Sequence, residues 1–185
     1  MKKHAETGFS LIEVLVSLLV LSVGIIGAAS MQLNALRSNQ QSGFHSTALQ
    51  LAIDTADQIR AATVNNDADA ANAYLRLDFK SEESVISAHS LCYDVSSACN
   101  AVEITDAQIY EIQRRLKSSL PNGRIKVCRD AAPWSDSSNT YQWDCHDAGK
   151  SAPIVVKLSW RSPSDHTALP AGGKESPRLV ILVQT

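Results

Sequence analysis

The sequence has no surplus of positive charge, few aromatic side chains, and no cysteines paired at metal-binding spacing. Each absence removes a class of function. The 17 Lys and Arg set against 19 Asp and Glu leave a net charge of −2, and the basic residues are scattered along the chain. A protein that grips a phosphate backbone needs a basic excess or stripe, so nucleic acid is not an expected partner. Aromatics make up 5% of the residues, which leaves little for stacking on bases. The cysteines are Cys92, Cys99, Cys128 and Cys145; no pair is spaced C-x-x-C, and no histidine follows at zinc-finger spacing. That argues against a structural zinc site.

Catalytic patterns are missing as well. His4 lies before the first apolar run, His45 in a long helical pattern, and His89, His146 and His166 in polar segments. Asp144, Cys145, His146 and Asp147 adjoin one another, but neighbours on a strand point to opposite faces, so they do not make a Cys–His site. Asn65-Asn66-Asp67-Ala68-Asp69 supplies oxygen ligands, yet it lacks the Gly and the closing Glu of an EF-hand loop. No catalytic residue, metal or cofactor is expected.

What is present begins at the N-terminus. Residues 1–8 are short and polar, with Lys2 and Lys3 among them, and Phe9 then opens an apolar run that continues to about Leu33. A run of this length can span a bilayer, which needs ~20 apolar residues. Lysines ahead of it place the short N-terminus in the cytoplasm and the bulk of the chain across the membrane. The one charge in the run is Glu13. A secretory signal peptide, with Ala28 and Ser30 as the small residues before its cleavage point, is one reading, and an early carboxylate opposes it. A plain membrane anchor is a second, and the cost of an intramembrane carboxylate, ~2.5–3.5 kcal/mol at the centre of a span, opposes that too.

A third reading gives Glu13 a task. The string Gly8-Phe9-Ser10-Leu11-Ile12-Glu13-Val14-Leu15 resembles the class III signal of type IV prepilins. The resemblance implies cleavage by a prepilin peptidase between Gly8 and Phe9, N-methylation of Phe9, and retention of the apolar helix. It implies that Glu13 is an assembly residue. Four helical residues separate Phe9 from Glu13, a rise of ~6 Å, so a neighbouring subunit shifted along a filament can set its free amine beside Glu13. In an apolar filament core such a pair is weakly screened, and leaving either charge alone is costly, so the pair selects register. Glu13 also suits the N-terminal end of its own helix dipole.

Helical character continues beyond the apolar run. Phe44, Ala48, Leu51, Ala52, Ala56 and Ile59 recur three or four apart, the spacing of one buried helix face. The stop is expected near Thr63, with Asn65-Asn66-Asp67 as the turn signal. Gly24, Gly27 and Gly43 are candidate soft points, and Gly24 and Gly27 also allow close helix approach in a membrane. Residues 64–103 are polar and turn-rich, with a short helix over Ala68–Leu77 and an irregular loop over Ser81–Ser90. Thr105-Asp106-Ala107-Gln108 fits a capping box with Thr105 as N-cap, opening a helix whose Ile109, Ile112 and Leu116 share a face and which Pro121-Asn122-Gly123 ends. Strands are expected over Arg124–Arg129, Tyr141–Cys145, Ile154–Arg161 and Arg178–Gln184, forming an antiparallel sheet.

The even cysteine count downstream of an export signal favours disulfides in an oxidising compartment. Four cysteines allow three pairings; Cys92–Cys99 and Cys128–Cys145 are favoured because each closes a local loop. The expected fold is α+β, a type IV pilin fold with a long N-terminal helical spine packed on a small antiparallel sheet domain. The expected division is leader 1–8, transmembrane and assembly half-helix 9–33, amphipathic half-helix 34–62, and a periplasmic or extracellular head 63–185.

Within the prepilin family the strings Glu13 to Gly27, Gln32 to Arg37, Leu51 to Asp54, Gln58 to Ala61, Leu120 to Gly123 and Ile154 to Trp160 are similar to those of the PilV minor pilins, the type IV pilus modification proteins. That similarity implies a subunit that joins other minor pilins in a priming complex at or near the fibre tip and supports twitching motility and adhesion. Implied partners are other minor pilins, the major pilin, the prepilin peptidase, the inner-membrane assembly machinery and a tip adhesin. The implied location is the inner membrane, single-pass with the head periplasmic, then the pilus. The alternatives are a minor pseudopilin of a type II secretion system, with the same N-terminal chemistry, and a membrane-anchored periplasmic enzyme.

Overall fold

A computed structural model describes residues 10–64, 73–85, 92, 98–146, 152–161 and 175–183. The chain divides into two compact units, Met1–Gln41 and Ser42–Thr185. One helix, α1, runs through Leu11–Val64 and contributes to both. It contains no proline and is rich in Leu and Ala, both strong helix formers. The carbonyl of Ser10 accepts the Glu13 and Val14 amides at 3.0 and 3.3 Å, which starts the helix. Gly24, Gly27 and Gly43 do not break it.

In the first unit, Leu11, Ile12, Val14 and the further large apolar residues as far as Leu36 are all exposed. The hydroxyls of Ser17 and Ser22 donate to the carbonyls of Val14 and Leu19 within the helix, at 2.8 and 2.7 Å. Such back-bonding lets a hydroxyl sit in an apolar stretch without needing water.

In the second unit the pattern changes to a stripe. Ala48, Leu51, Ala52, Ala56 and Ile59 of α1 are buried, and Phe44 packs against the same core. Thr55 joins this face because its hydroxyl donates to the Leu51 carbonyl at 2.7 Å. At the end of α1, Thr63 Oγ1 donates to the carbonyls of Ile59 and Arg60 within the last turn. The expected turn Asn65-Asn66-Asp67 lies outside the described residues.

The rest of this unit is a sheet and a second helix. Strands β1 (Asp78–Lys80), β2 (Arg124–Arg129), β5 (Ile154–Ser159) and β6 (Leu179–Val183) form an antiparallel sheet in the order β1-β2-β5-β6. The register sets Phe79 opposite Ile125, Val127 opposite Val156, and Leu158 opposite Leu179. Alternate side chains of one face (Ile125, Val127, Ile154, Val156 and Leu158) join the α1 stripe and Ile112, Leu116 and Leu120 in one core. Each fully buried aliphatic side chain contributes ~1.5–3 kcal/mol. Helix α2 spans Ala101–Ser119. After it, the Gly123 amide donates to Leu120 O, and a Cβ at Gly123 would meet that oxygen at 3.0 Å. A side chain at this turn would press on Leu120 and Leu116, which favours glycine.

Three expectations need correction. The α2 N-cap is Asn100, one turn before Thr105. Asn100 Oδ1 accepts the Glu103 amide and the Glu103 carboxylate accepts the Asn100 amide, each at 2.9 Å. Thr105 is already inside the helix, buried, with its hydroxyl donating to Ala101 O. The expected strand over Tyr141–Cys145 shrinks to β4 (Thr140–Tyr141), which pairs with β3 (Trp134–Ser135) in a separate two-stranded sheet. Beyond it the carbonyls of Gln142 and Asp144 turn to the Lys157 ammonium instead of a ladder partner. Strand β1 lies in a stretch read as polar and turn-rich; of the helix expected over Ala68–Leu77, Ala73 and Tyr74 are helical and 68–72 lie outside the described residues.

Candidate functional site

Two places in the chain gather unusual chemistry, one in each unit. In the first, Glu13 stands in the first turn of α1 as the one charge between Leu11 and Leu36. It is exposed, as are its apolar neighbours Ile12 and Val14. Among the described residues this is the one helix long and apolar enough to cross a membrane, and its apolar window is unburied. Among the described residues no side chain donates to this carboxylate, and a carboxylate on an apolar surface is costly without a donor. Added Cβ atoms at Gly24 and Gly27 would meet nothing within 4 Å, so no packing inside the chain asks for glycine there. Gly8 and Phe9 lie outside the described residues.

In the second unit the unusual group is Lys157. It sits in the middle of β5 and is wholly buried, on the sheet face opposite the main core. Its ammonium donates to Asp130 Oδ2 at 2.5 Å and to the carbonyls of Gln142 and Asp144 at 2.7 and 2.8 Å. Asp130 is equally buried, and its Oδ1 accepts the amides of Ala132 and His146. Burial pushes the Asp130 carboxyl up, but the Lys157 ammonium and the two amides outweigh it and hold it below the usual carboxylate range. The pair ties the segment after β2 down onto β5, on the face opposite the main core. The Cys128–Cys145 disulfide closes the same loop, with a sequence separation of 17. Cys92 and Cys99 form the other bridge.

These arrangements bear on the enzymatic alternative. Cys145 is bonded to Cys128, so the run Asp144, Cys145, His146 holds no thiol; Asp147 lies outside the described residues. His45 packs edge-on against Trp160, with ring centroids 5.8 Å apart, and His146 Nδ1 lies 3.6 Å from Asp130. His4, His89 and His166 lie outside the described residues. Among the described residues no three His, Cys, Asp or Glu gather to hold a metal ion. The Lys157–Asp130 pair was not singled out by the sequence. Its signal was a lysine at the centre of an otherwise apolar strand, on the face it shares with Val155 and Ser159.

Residues 3–29 match the family model of the prokaryotic N-terminal methylation motif. The methylation motif spans Gly8, Phe9 and Glu13 and falls within the first unit. It supports a type IV pilin-like protein, whether pilin or pseudopilin, and with it a structural rather than an enzymatic role. It implies processing by a prepilin peptidase and a pilus-assembly context. The motif and the apolar helix are consistent with membrane anchoring followed by incorporation into a pilus. No curated protein and no solved structure matches the chain.

Proposed function

We propose that this chain is a minor pilin, cut between Gly8 and Phe9, methylated at Phe9, and assembled with other minor pilins into a complex that primes a type IV pilus and stays at or near its tip. The observation that carries the proposal is the methylation motif on an exposed apolar helix whose one charge is Glu13. Residues 1–8 are then the leader, 9–33 the membrane and assembly segment, and the second unit the basis of the periplasmic head. The N-terminal amine of a neighbouring subunit is then the donor to Glu13. The strings similar to the PilV minor pilins favour a minor over a major subunit.

The second reading is a minor pseudopilin of a type II secretion system, because the motif serves both. A chromosomal deletion separates them. For a minor pilin, surface piliation, twitching and adhesion fall while secretion of exoproteins is unchanged. Normal piliation with blocked secretion would assign the chain to the pseudopilus. A pull-down from sheared fibres is expected to recover other minor pilins and a tip adhesin; recovery of the major subunit alone would count against the tip complex.

A further inference from the structure

The sheet of the second unit ends in two unlike edges. In an antiparallel sheet, alternate residues of an outer strand turn their N–H and C=O groups away from the sheet. At one edge stands β1, where Asp78 and Lys80 flank the buried Phe79. Asp78 is itself held by Arg124 through two bonds of 2.9 Å, with Lys126 Nζ 3.6 Å away. A short, charged strand is one way that proteins blunt an edge. At the other edge stands β6, Leu179-Val180-Ile181-Leu182-Val183, with no charge and no proline. Its inner side pairs residue for residue with β5. Among the described residues no backbone group pairs with its outer side.

The side chains of β6 show the same opening. The register places Leu179, Ile181 and Val183 opposite Leu158, Val156 and Ile154, on the face of the main core. Val183 is closed in, whereas Leu179 and Ile181 pack against that core and stay only partly buried. On the other face Leu182, opposite Val155, is 53% exposed. The core is thus left open along β6, with apolar side chains on both faces and backbone donors and acceptors between them.

Such a row of donors and acceptors is matched by another extended backbone. A helix has used its own groups internally, and hydrocarbon has none to offer. Five residues of strand span about 17 Å. That is little for a lasting complex between freely diffusing proteins, but enough between chains already tethered, whose effective concentration is high. The apolar helix of the first unit supplies that tether.

We propose that β6 takes up a strand from the head of another pilin-like subunit, which lengthens the sheet β1-β2-β5-β6 by one strand. The incoming segment is extended and uncharged. Its apolar side chains cover Leu179 and Ile181 on the core face and Leu182 on the other. This rests on the pilin reading above and adds the surface by which one subunit's head holds another.

The test is photocrosslinking in cells that make the full chain. A benzophenone amino acid replaces Leu182 or, as a control, the exposed Val102 of α2. Products from membrane and sheared-fibre fractions are sequenced by mass spectrometry. The expected product joins position 182 to an uncharged segment of a different protein that carries its own N-terminal methylation motif, and position 102 does not form it. Leu182→Lys puts a charge on the edge and is expected to lower co-precipitation of that subunit about tenfold or more, while Val102→Lys leaves it unchanged. Denaturant midpoints show whether both variants fold; if Leu182→Lys does not, Leu182→Thr carries the same readout. No cross-link from position 182, equal cross-linking from both positions, a product with a second copy of this chain or with a protein lacking the motif, or a folded edge variant that keeps its partner would overturn the proposal. The fractions keep the two readings apart. A chain that enters fibres without the position-182 product contradicts the edge pairing and leaves the minor-pilin assignment standing. A chain that forms the product in membranes but is needed for secretion and not for piliation keeps the edge pairing and belongs to the pseudopilus.

Discussion

The first unit of this chain leaves its apolar surface open, and the second closes nearly all of its own. Along α1 the large apolar side chains are exposed as far as Leu36, whereas Ala48, Leu51, Ala52, Ala56 and Ile59 are buried against the sheet. Soluble monomers rarely expose contiguous apolar patches above a few hundred Å². The first unit is therefore complete only within lipid or among other apolar helices. The second provides acceptors from within even for a wholly buried lysine. The one carboxylate of the apolar run, Glu13, and the lysine at the centre of β5 thus stand in opposite surroundings. One is exposed on an apolar helix, and the other is enclosed with three acceptors from its own chain.

The largest expected effect comes from Glu13→Ala. Under the proposed pairing, a subunit amine left alone in an apolar filament loses ~3–5 kcal/mol, so incorporation into sheared fibres should fall by roughly a hundredfold to a few thousandfold. Membrane insertion should not fall, since the substitution makes the span more apolar. Immunoblots of fibre and membrane fractions read both. Equal loss from the two fractions would mean that Glu13 acts on stability and not on assembly.

Next in size is Lys157→Met. It leaves Asp130 buried without its cation and is expected to cost ~3–5 kcal/mol, measured as a lower midpoint in denaturant melts. A cost below ~1 kcal/mol would show that water reaches Asp130 and that the second unit is less closed than described. The same pair sets a pH dependence. The Asp130 carboxyl is depressed in the folded chain, so its contribution is present above the unfolded carboxylate value of ~3.9 and is lost as pH falls through the lower folded value. The Asp78 carboxyl is also depressed: burial raises it, and Arg124 followed by Lys126 more than offset that. Stability is expected to be level near neutrality and to fall below pH ~4, less steeply in Lys157→Met. A parallel fall in both proteins would remove Asp130 from the account. The smallest effect is Asn100→Ala, expected to cost ~1 kcal/mol by loss of the α2 cap, whereas Thr105→Ser should cost less because its hydroxyl bond to Ala101 is kept.

Legibility in the sequence followed periodicity. The α1 stripe and the alternation in Ile154–Trp160 were readable because burial imposes periods of 3.6 and 2. The α+β outline and the antiparallel sheet followed from them. The Thr105 cap was a misreading between two valid-looking signals: Asn100-Ala101-Val102-Glu103 fits the same capping box, and only the structure shows which donor pair closes. Strand β1 is three residues long and carries one apolar side chain, Phe79, too short for any period to show. The Tyr141–Cys145 segment alternates like a strand, but its later carbonyls serve Lys157, a long-range demand that local pattern cannot reveal. At the N-terminus the opposite holds. Gly8, Phe9 and Glu13 form a contiguous motif whose meaning lies in its spacing.

The most direct test of the central claim is the intact mass and N-terminal sequence of the protein recovered from membranes and from sheared fibres. Prepilin processing predicts a chain that begins at Phe9, with a methyl group on its amine and Glu13 as the fifth residue. A chain that begins at Met1, or at Met31 after signal-peptide cleavage, would contradict it, and the assembly role proposed for Glu13 would fall with it.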